Sequence, residues 1–217
     1  VVLASLVARY HSILIAAPLL LGGAFVLYNE PPSTIERQRN ILREAERMFP
    51  EGVAYFDSCA MLGSFPKANA FMTPWGIDQY LAGGFPSLER TMASTPVPLL
   101  VTDDYMFEDA MKGVGPVPAF LPGDLAAIRD TFVHLWGPFW IAGEEIPARA
   151  SDYAFRIRVP GPYTAQGASV TIGERVVAPG QAVHLERAVY RASTAGEKGA
   201  RLVWGKGVTS PAQSYDG

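Results

Sequence analysis

The sequence has little cysteine, little histidine and little charge. One Cys among 217 residues excludes an intramolecular disulfide and a zinc site built from several cysteines. A formal net charge of −3 provides no concentrated basic surface, so we do not expect nucleic-acid binding. Charged residues make up 18% of the chain, below the roughly 25% of ordinary soluble domains. The 21 Gly and 18 Pro indicate many loops but not a low-complexity chain.

Familiar catalytic motifs are also missing. The chain has no Walker loop, no G-x-S-x-G elbow and no G-x-G-x-x-G fingerprint. Cys59 has neither a second Cys nor a nearby His in the sequence, which favours a buried structural thiol over a nucleophile. We expect His134, in an apolar stretch, to be packed or capping, and His184, which alternates with apolar residues, to face solvent. The sequence therefore predicts no metal site, no cofactor and no self-contained catalytic group.

The first 28 residues carry a single formal charge, that of Arg9. Ser12–Tyr28 is a run of seventeen uncharged residues, near the lower limit for a helix that crosses a core of about 30 Å. Pro18 and Gly22-Gly23 weaken a soluble helix but are tolerated in lipid. We therefore expect a terminal transmembrane segment over residues 1–30, with membrane lipid as its partner.

Two other interpretations of this segment remain. Gly22-Gly23-Ala24 suits the cleavage site of a signal peptide, although Val1–Ala8 is apolar where a signal peptide has a basic start. A buried helix of a soluble protein is the third. Val1–Ala8 fits either the tail of an earlier span or the start of one long helix, and the chain has the character of the C-terminal piece of a multi-pass protein. Arg9 beside the span favours a cytoplasmic N-terminal side and an external remainder.

Residues 31–148 alternate between helical and strand patterns. Such alternation predicts a small α/β domain with a parallel sheet. The predicted helices are 33–49, 76–81, 87–93 and 122–133, and the predicted strands are 53–56, 98–101 and 138–142.

The pattern changes after about Ala148. Phe155, Ile157 and Val159 alternate with Arg156 and Arg158, a period of two that indicates a half-buried strand. Further short strands follow, separated by Gly and Pro turns. Residues 149–205 are therefore predicted to form a small all-β sandwich, and residues 206–217 a frayed tail.

Acidic residues follow two of the predicted strands. Asp57 ends the first strand, and Asp103 and Asp104 end the second. Ligands of open α/β sheets collect at the carboxyl edge of the strands, so these three side chains are candidate ligand-facing groups. The alternative is that they only cap backbone N–H groups, as Asp commonly does where a strand enters a turn.

The loop of residues 58–75 is long for its position, and long loops in compact domains are often functional. It contains Lys67 and Trp75, and Asp78 follows it. An indole ring beside a carboxylate suits a sugar, whose C–H face stacks on the ring while a hydroxyl donates to the acid. Lys67, Trp75 and Asp78 complete the set of ligand-facing candidates. Packing of Trp75 on the sheet edge is the alternative.

Three stretches of this region carry a resemblance. Tyr55–Met61 (YFDSCAM), Ser64–Lys67 (SFPK) and Phe71–Gly76 (FMTPWG), following a terminal apolar segment, resemble the C-terminal region of bacterial multi-pass glycosyltransferases of the protein-mannosyltransferase and aminoarabinose-transferase kind. The resemblance covers about residues 1–145. It implies a polyprenyl-phosphate sugar as donor, a glycan or lipid as acceptor, and an inner-membrane protein with periplasmic C-terminal domains.

The resemblance assigns no catalytic residue to this chain. In such enzymes the catalytic acids lie in an early external loop, which would precede Val1. A single-span envelope protein with a glycan-binding or protein-binding module remains the main alternative. A small hydrolase that uses Asp57 and Asp103 is a third possibility.

Overall fold

The computed structural model describes residues 2–29, 33–115, 117–212 and 215, with side chains from residue 16 onward except those of residues 33 and 34. Its contacts divide the chain into two units, residues 1–40 with 216–217, and residues 41–215. The helices are α1 (Val2–Asn29), α2 (Ser33–Met48), α3 (Pro74–Leu81), α4 (Leu88–Ser94), α5 (Tyr105–Lys112) and α6 (Pro122–Arg129). The strands are β1 (Tyr55–Phe56), β2 (Leu99–Val101), β3 (Phe132–Trp136), β4 (Phe139–Ile146), β5 (Tyr153–Ile157), β6 (Gly161–Gly167), β7 (Val170–Ile172), β8 (Arg175–Val177), β9 (Ala182–Leu185), β10 (Ala188–Ser193) and β11 (Ala200–Trp204).

The first unit is dominated by α1, one continuous helix with Pro18 inside it. Its described apolar side chains are exposed, with Leu19, Leu21 and Leu27 at 71%, 71% and 75%. Val1 and Glu30, the ends of the predicted transmembrane segment, lie outside the described residues. Across the part of the chain that the structure describes, no helix combines the length and the apolar character needed to cross a membrane.

The second unit contains a mixed seven-stranded sheet. Six strands follow the order β1-β2-β4-β11-β6-β9, and β3 pairs with β4. Strands from both predicted soluble domains therefore belong to one sheet, because β4 pairs with β2 at one end and with β11 at the other.

The prediction of a parallel sheet is correct for one pair and wrong beyond it. β1 and β2 are parallel, whereas β4 runs antiparallel to β2. The reason is a hairpin that the sequence analysis missed. The helix α6 ends at Arg129 and the strand β3 begins at Phe132. The prediction extended the helix to residue 133 and assigned residues 134–136 to no element. The turn at Gly137 and Pro138 then reverses the chain directly into β4.

Successive side chains along β1, β2 and β4, which are neighbours in the sheet, alternate between two cores. Tyr55, Leu99 and Ile141 face one core with Ile41 and Ala45 of α2. The intervening residues face a second core with the short helices, as Phe56, Leu100 and Ala142 do. This period of two places helices on both faces of the sheet.

Gly143 marks a close approach of β4 and β11. A Cβ there would lie 2.5 Å from the Leu202 backbone oxygen and 2.7 Å from a Val133 methyl carbon. We expect Gly143→Ala to lower the free energy of unfolding by about 1–3 kcal/mol, because the strands must move apart. Gly123→Ala is the matched control, since a Cβ at that site in α6 meets nothing within 4 Å, and it should be neutral or stabilising by up to about 1 kcal/mol. Equal melting of the two variants would contradict this assignment.

The four-stranded sheet has the order β5-β10-β7-β8 and is antiparallel. Residues of both sheets share one core, including Phe155 and Val170 from this sheet and Tyr163 and Leu202 from the larger one. The predicted strand pattern thus corresponds to two sheets that share a core, with one of them extended into the α/β part. In the predicted tail, Val208 is buried and Tyr215 lies edge to face on Trp136, with ring centroids 5.6 Å apart.

Candidate functional site

The carboxyl edge of β1 and β2 is organised around Asp57. Its side chain is fully buried and follows directly after β1. Oδ1 accepts from the backbone N of Ala60 at 3.1 Å, and Oδ2 accepts from that of Met61 at 2.7 Å. Ala60 has a left-handed backbone with φ of 58°, unusual for a residue with a Cβ. Asp57 therefore fixes a tight turn.

Lys67 locks the loop onto this turn. Its Nζ donates to Asp57 Oδ1 at 2.5 Å, to the Asp57 backbone oxygen at 2.7 Å and to the Phe71 backbone oxygen at 2.7 Å. Asn69 adds a reciprocal pair, donating to the Asp57 backbone oxygen and accepting from the Asp57 N–H. All three ammonium protons of Lys67 thus have partners, and Lys67 serves the structure of the loop.

The two acids after β2 have different roles. Asp104 is the N-cap of α5, and its Oδ1 accepts from Met106 N and Phe107 N, both at 3.1 Å. Asp103 has both carboxylate oxygens buried, and no donor from another described residue reaches either of them. The capping alternative therefore describes Asp57 and Asp104, whereas the Asp103 carboxylate caps no described N–H group of another residue.

Burial raises the pKa of Asp103 to about 6, with a further contribution from the charge of Asp57. The residue's own backbone N–H and the Lys67 ammonium only partly offset these effects. A carboxyl group with a pKa near 6 changes protonation close to neutral pH, which is the property that general acids, general bases and hydroxyl acceptors need.

Cys59 lies beside these acids, and here the sequence prediction was wrong: the thiol is exposed rather than buried. Partial burial raises its pKa, and the charges of Asp103, Asp104 and Asp57 raise it further. These effects disfavour a Cys59 thiolate at neutral pH. Ser58, the preceding residue, is buried, and its Oγ has no partner among the described residues.

Trp75 and Asp78 lie on α3, one turn apart and both exposed. Trp75 is 64% exposed and contacts Phe85 edge to face, with ring centroids 5.8 Å apart. The structure therefore places this indole on the surface rather than in the sheet core. Thr73 caps the helix that holds both side chains, since its Oγ1 accepts from Gly76 N.

Tyr105 is a surface aromatic that the sequence analysis missed. It is 78% exposed and follows Asp104 at the start of α5. The Asp-Asp-Tyr run after an apolar strand was its only signal, and no helix was predicted over residues 105–112.

The hydrogen-bond partners of His184 and His134 are not residues of this edge. His184 faces solvent as predicted and pairs with Glu186. His134 is exposed, with Nε2 3.0 Å from the Gly137 backbone oxygen. In the described ranges, no three His, Cys, Asp or Glu side chains are placed to hold one metal ion.

Comparison with protein-family models, curated proteins and solved structures finds no match for this chain.

Proposed function

We propose that this chain is the apolar N-terminal helix and the external unit of a membrane glycosyltransferase that uses a polyprenyl-phosphate sugar. The main catalytic acids of that enzyme lie outside residues 1–217, and the carboxyl edge of β1 and β2 contributes to handling of the acceptor. The unit lies on the outer face of a bacterial inner membrane.

The exposed surface of α1 supports the membrane part of the proposal. Apolar patches of this extent are rare on soluble monomers and mark surfaces that another apolar phase covers. Leu20, Phe25 and Val26 are exposed at 73%, 69% and 59%, in addition to the leucines described above. A lipid-linked donor requires an enzyme that works at the membrane, which is where such a helix is covered.

The observation that carries the proposal concerns the Asp103 carboxyl, which accepts no hydrogen bond from another described residue. It follows β2, next to the strand β1 whose following loop is held by the Asp57–Lys67 ion pair. The loop stretches that resemble the glycosyltransferases are those fixed by the Asp57–Lys67 ion pair. Next to them, Asp103 offers two buried oxygens without donors from the described residues. A sugar or lipid hydroxyl is the kind of donor that satisfies such a group.

A transfer assay tests the proposal. Membranes that contain the intact protein are given tritiated polyprenyl-phosphate mannose or aminoarabinose, and label in the glycan and lipid fractions is counted. We expect label above that in membranes lacking the protein, and about a fivefold lower rate for Trp75→Ala, since a lost ring contact is worth about 1 kcal/mol. Val176→Ala, which also removes an exposed apolar side chain, should transfer normally. No protein-dependent label from either donor would contradict the proposal.

A single-span glycan-binding protein is the second candidate, and exposed Trp75 with Asp78 favours it. An exposed indole with a carboxylate one helical turn away suits a sugar without any transfer step. Saturable binding of a glycan array that Trp75→Ala abolishes, together with no transfer from either donor, would favour this function. The small hydrolase is not proposed, because Asp57 is buried and both of its carboxylate oxygens already accept hydrogen bonds within the chain.

A further inference from the structure

A cavity of about 360 Å³ lies between α4 and the β5–β10 strand pair, on a different part of the second unit from Asp103. Residues of three kinds line it: the arginines 156, 158 and 187, the acid Glu89, and the apolar or small side chains Met92, Ala93, Ile157, Ala188 and Val189. An adjoining cavity shares Arg156, Arg158 and Val189 and adds Asp130. Three arginine residues thus line the first cavity, and two of them also line the second.

Arg158 is half-buried and incompletely bonded. Its Nη1 donates to Glu89 at 2.9 Å and its Nη2 donates to Asp130 at 3.1 Å. Its Nε is buried and has no acceptor among the described residues. A buried N–H without an acceptor is destabilising, more so when the group is charged, so an acceptor oxygen at this donor would be stabilising.

Arg187 is held in place without being neutralised. Its Nε donates to the Arg158 backbone oxygen at 2.9 Å and its Nη2 to the Met92 backbone oxygen at 2.7 Å. Both acceptors are uncharged carbonyls. Neither Arg187 nor Arg156 has a carboxylate within 4.0 Å among the described residues. The three arginines therefore exceed the two carboxylates, Glu89 and Asp130, by one positive charge.

We infer that this cavity binds an oxyanion, a carboxylate or a phosphate, carried on a molecule with an apolar flank. Guanidinium groups bind both anions through paired, charge-assisted hydrogen bonds. Met92, Ile157 and Val189 provide the apolar wall. An anionic sugar has this combination, with its charged group toward Arg158 and Arg187 and its C–H face on that wall.

Titration of the full chain in zwitterionic detergent tests the site independently of any transfer activity. Glucose 1-phosphate and glucuronate are the phosphate and carboxylate probes, and glucose is the neutral control. Calorimetry gives the affinity, and the arginine Nε–Hε signals in NMR spectra report the location. We expect at least one anionic probe to bind saturably and to shift the Arg158 and Arg187 signals, while glucose does not. The tighter probe identifies the anion.

A charge reversal distinguishes this site from general attraction of anions. Arg156→Glu should weaken binding about tenfold or more, whereas Arg175→Glu, on β8 and outside the cavity, should leave it unchanged. Both residues are exposed, and near-ultraviolet circular dichroism checks that both variants fold. No saturable binding of either anion, or equal weakening in the two variants, would overturn the inference.

Discussion

Replacing Lys67 by Met should lower the free energy of unfolding by about 3–5 kcal/mol, because it leaves the Asp57 carboxylate buried without its cation. For a chain of this size the melting temperature should fall by roughly 6–20 °C. The Asp57→Asn/Lys67→Met double variant should lose less, since a buried amide replaces a buried charge. Thermal melts of the full chain in zwitterionic detergent, followed by near-ultraviolet circular dichroism, measure both effects.

Lys112→Met is the control for this change. Lys112 also pairs with an acid, Glu108, but both side chains are about half exposed, and such surface pairs contribute at most about 1 kcal/mol. If Lys67→Met melted no earlier than Lys112→Met, the ion pair would not be what holds the loop.

Asp103→Asn should stabilise the protein at pH 7. The pKa of Asp103 is about 6 in the folded chain, above the ordinary value of 3.8, so the folded state binds the proton more tightly than the unfolded state. The stability that this proton provides is present below about pH 4 and is lost as the pH rises through about 6. Removing the charge should therefore raise the free energy of unfolding at pH 7 by about 1 kcal/mol, allowing for partial screening by solvent. The gain should disappear toward pH 4.

The neighbouring acid should respond in the opposite direction. Asp104→Ala removes the N-cap of α5 and should lower the free energy of unfolding by about 1 kcal/mol. Denaturant titrations at pH 7 and pH 4 measure both variants. Destabilisation by Asp103→Asn at pH 7 would mean that its carboxylate has partners in solution and is not left for a ligand.

Local patterns in the sequence were sufficient to predict those elements that depend only on residues close together in the chain. β1 and β2 were predicted within two residues of their observed bounds, and a run of short strands was predicted after residue 149. The direction of β4 was not, because it depends on the β3–β4 hairpin. Phe132–Trp136 is apolar enough to read as the end of a helix, and only its pairing with β4 identifies it as a strand.

The roles of the three acids show why the site was less predictable. Asp57, Asp103 and Asp104 have the same signature in the sequence, an acid directly after an apolar strand. Their roles are set by Lys67 and by backbone N–H groups whose positions depend on the folded loop and helix. Burial and partners therefore separate one free carboxyl from two structural ones, which no local pattern encodes.

The rate of sugar transfer against pH, measured for Asp103→Asn in membranes that contain the intact protein, tests the central claim most directly. The wild-type rate should rise through about pH 6, as Asp103 ionises and accepts a hydrogen bond from the acceptor hydroxyl. Asp103→Asn should be about tenfold slower at pH 7.5 and should lack that rise, while Asp104→Asn, which keeps a good N-cap, should follow the wild type. Transfer by Asp103→Asn at the wild-type rate and with the wild-type pH dependence would contradict the account.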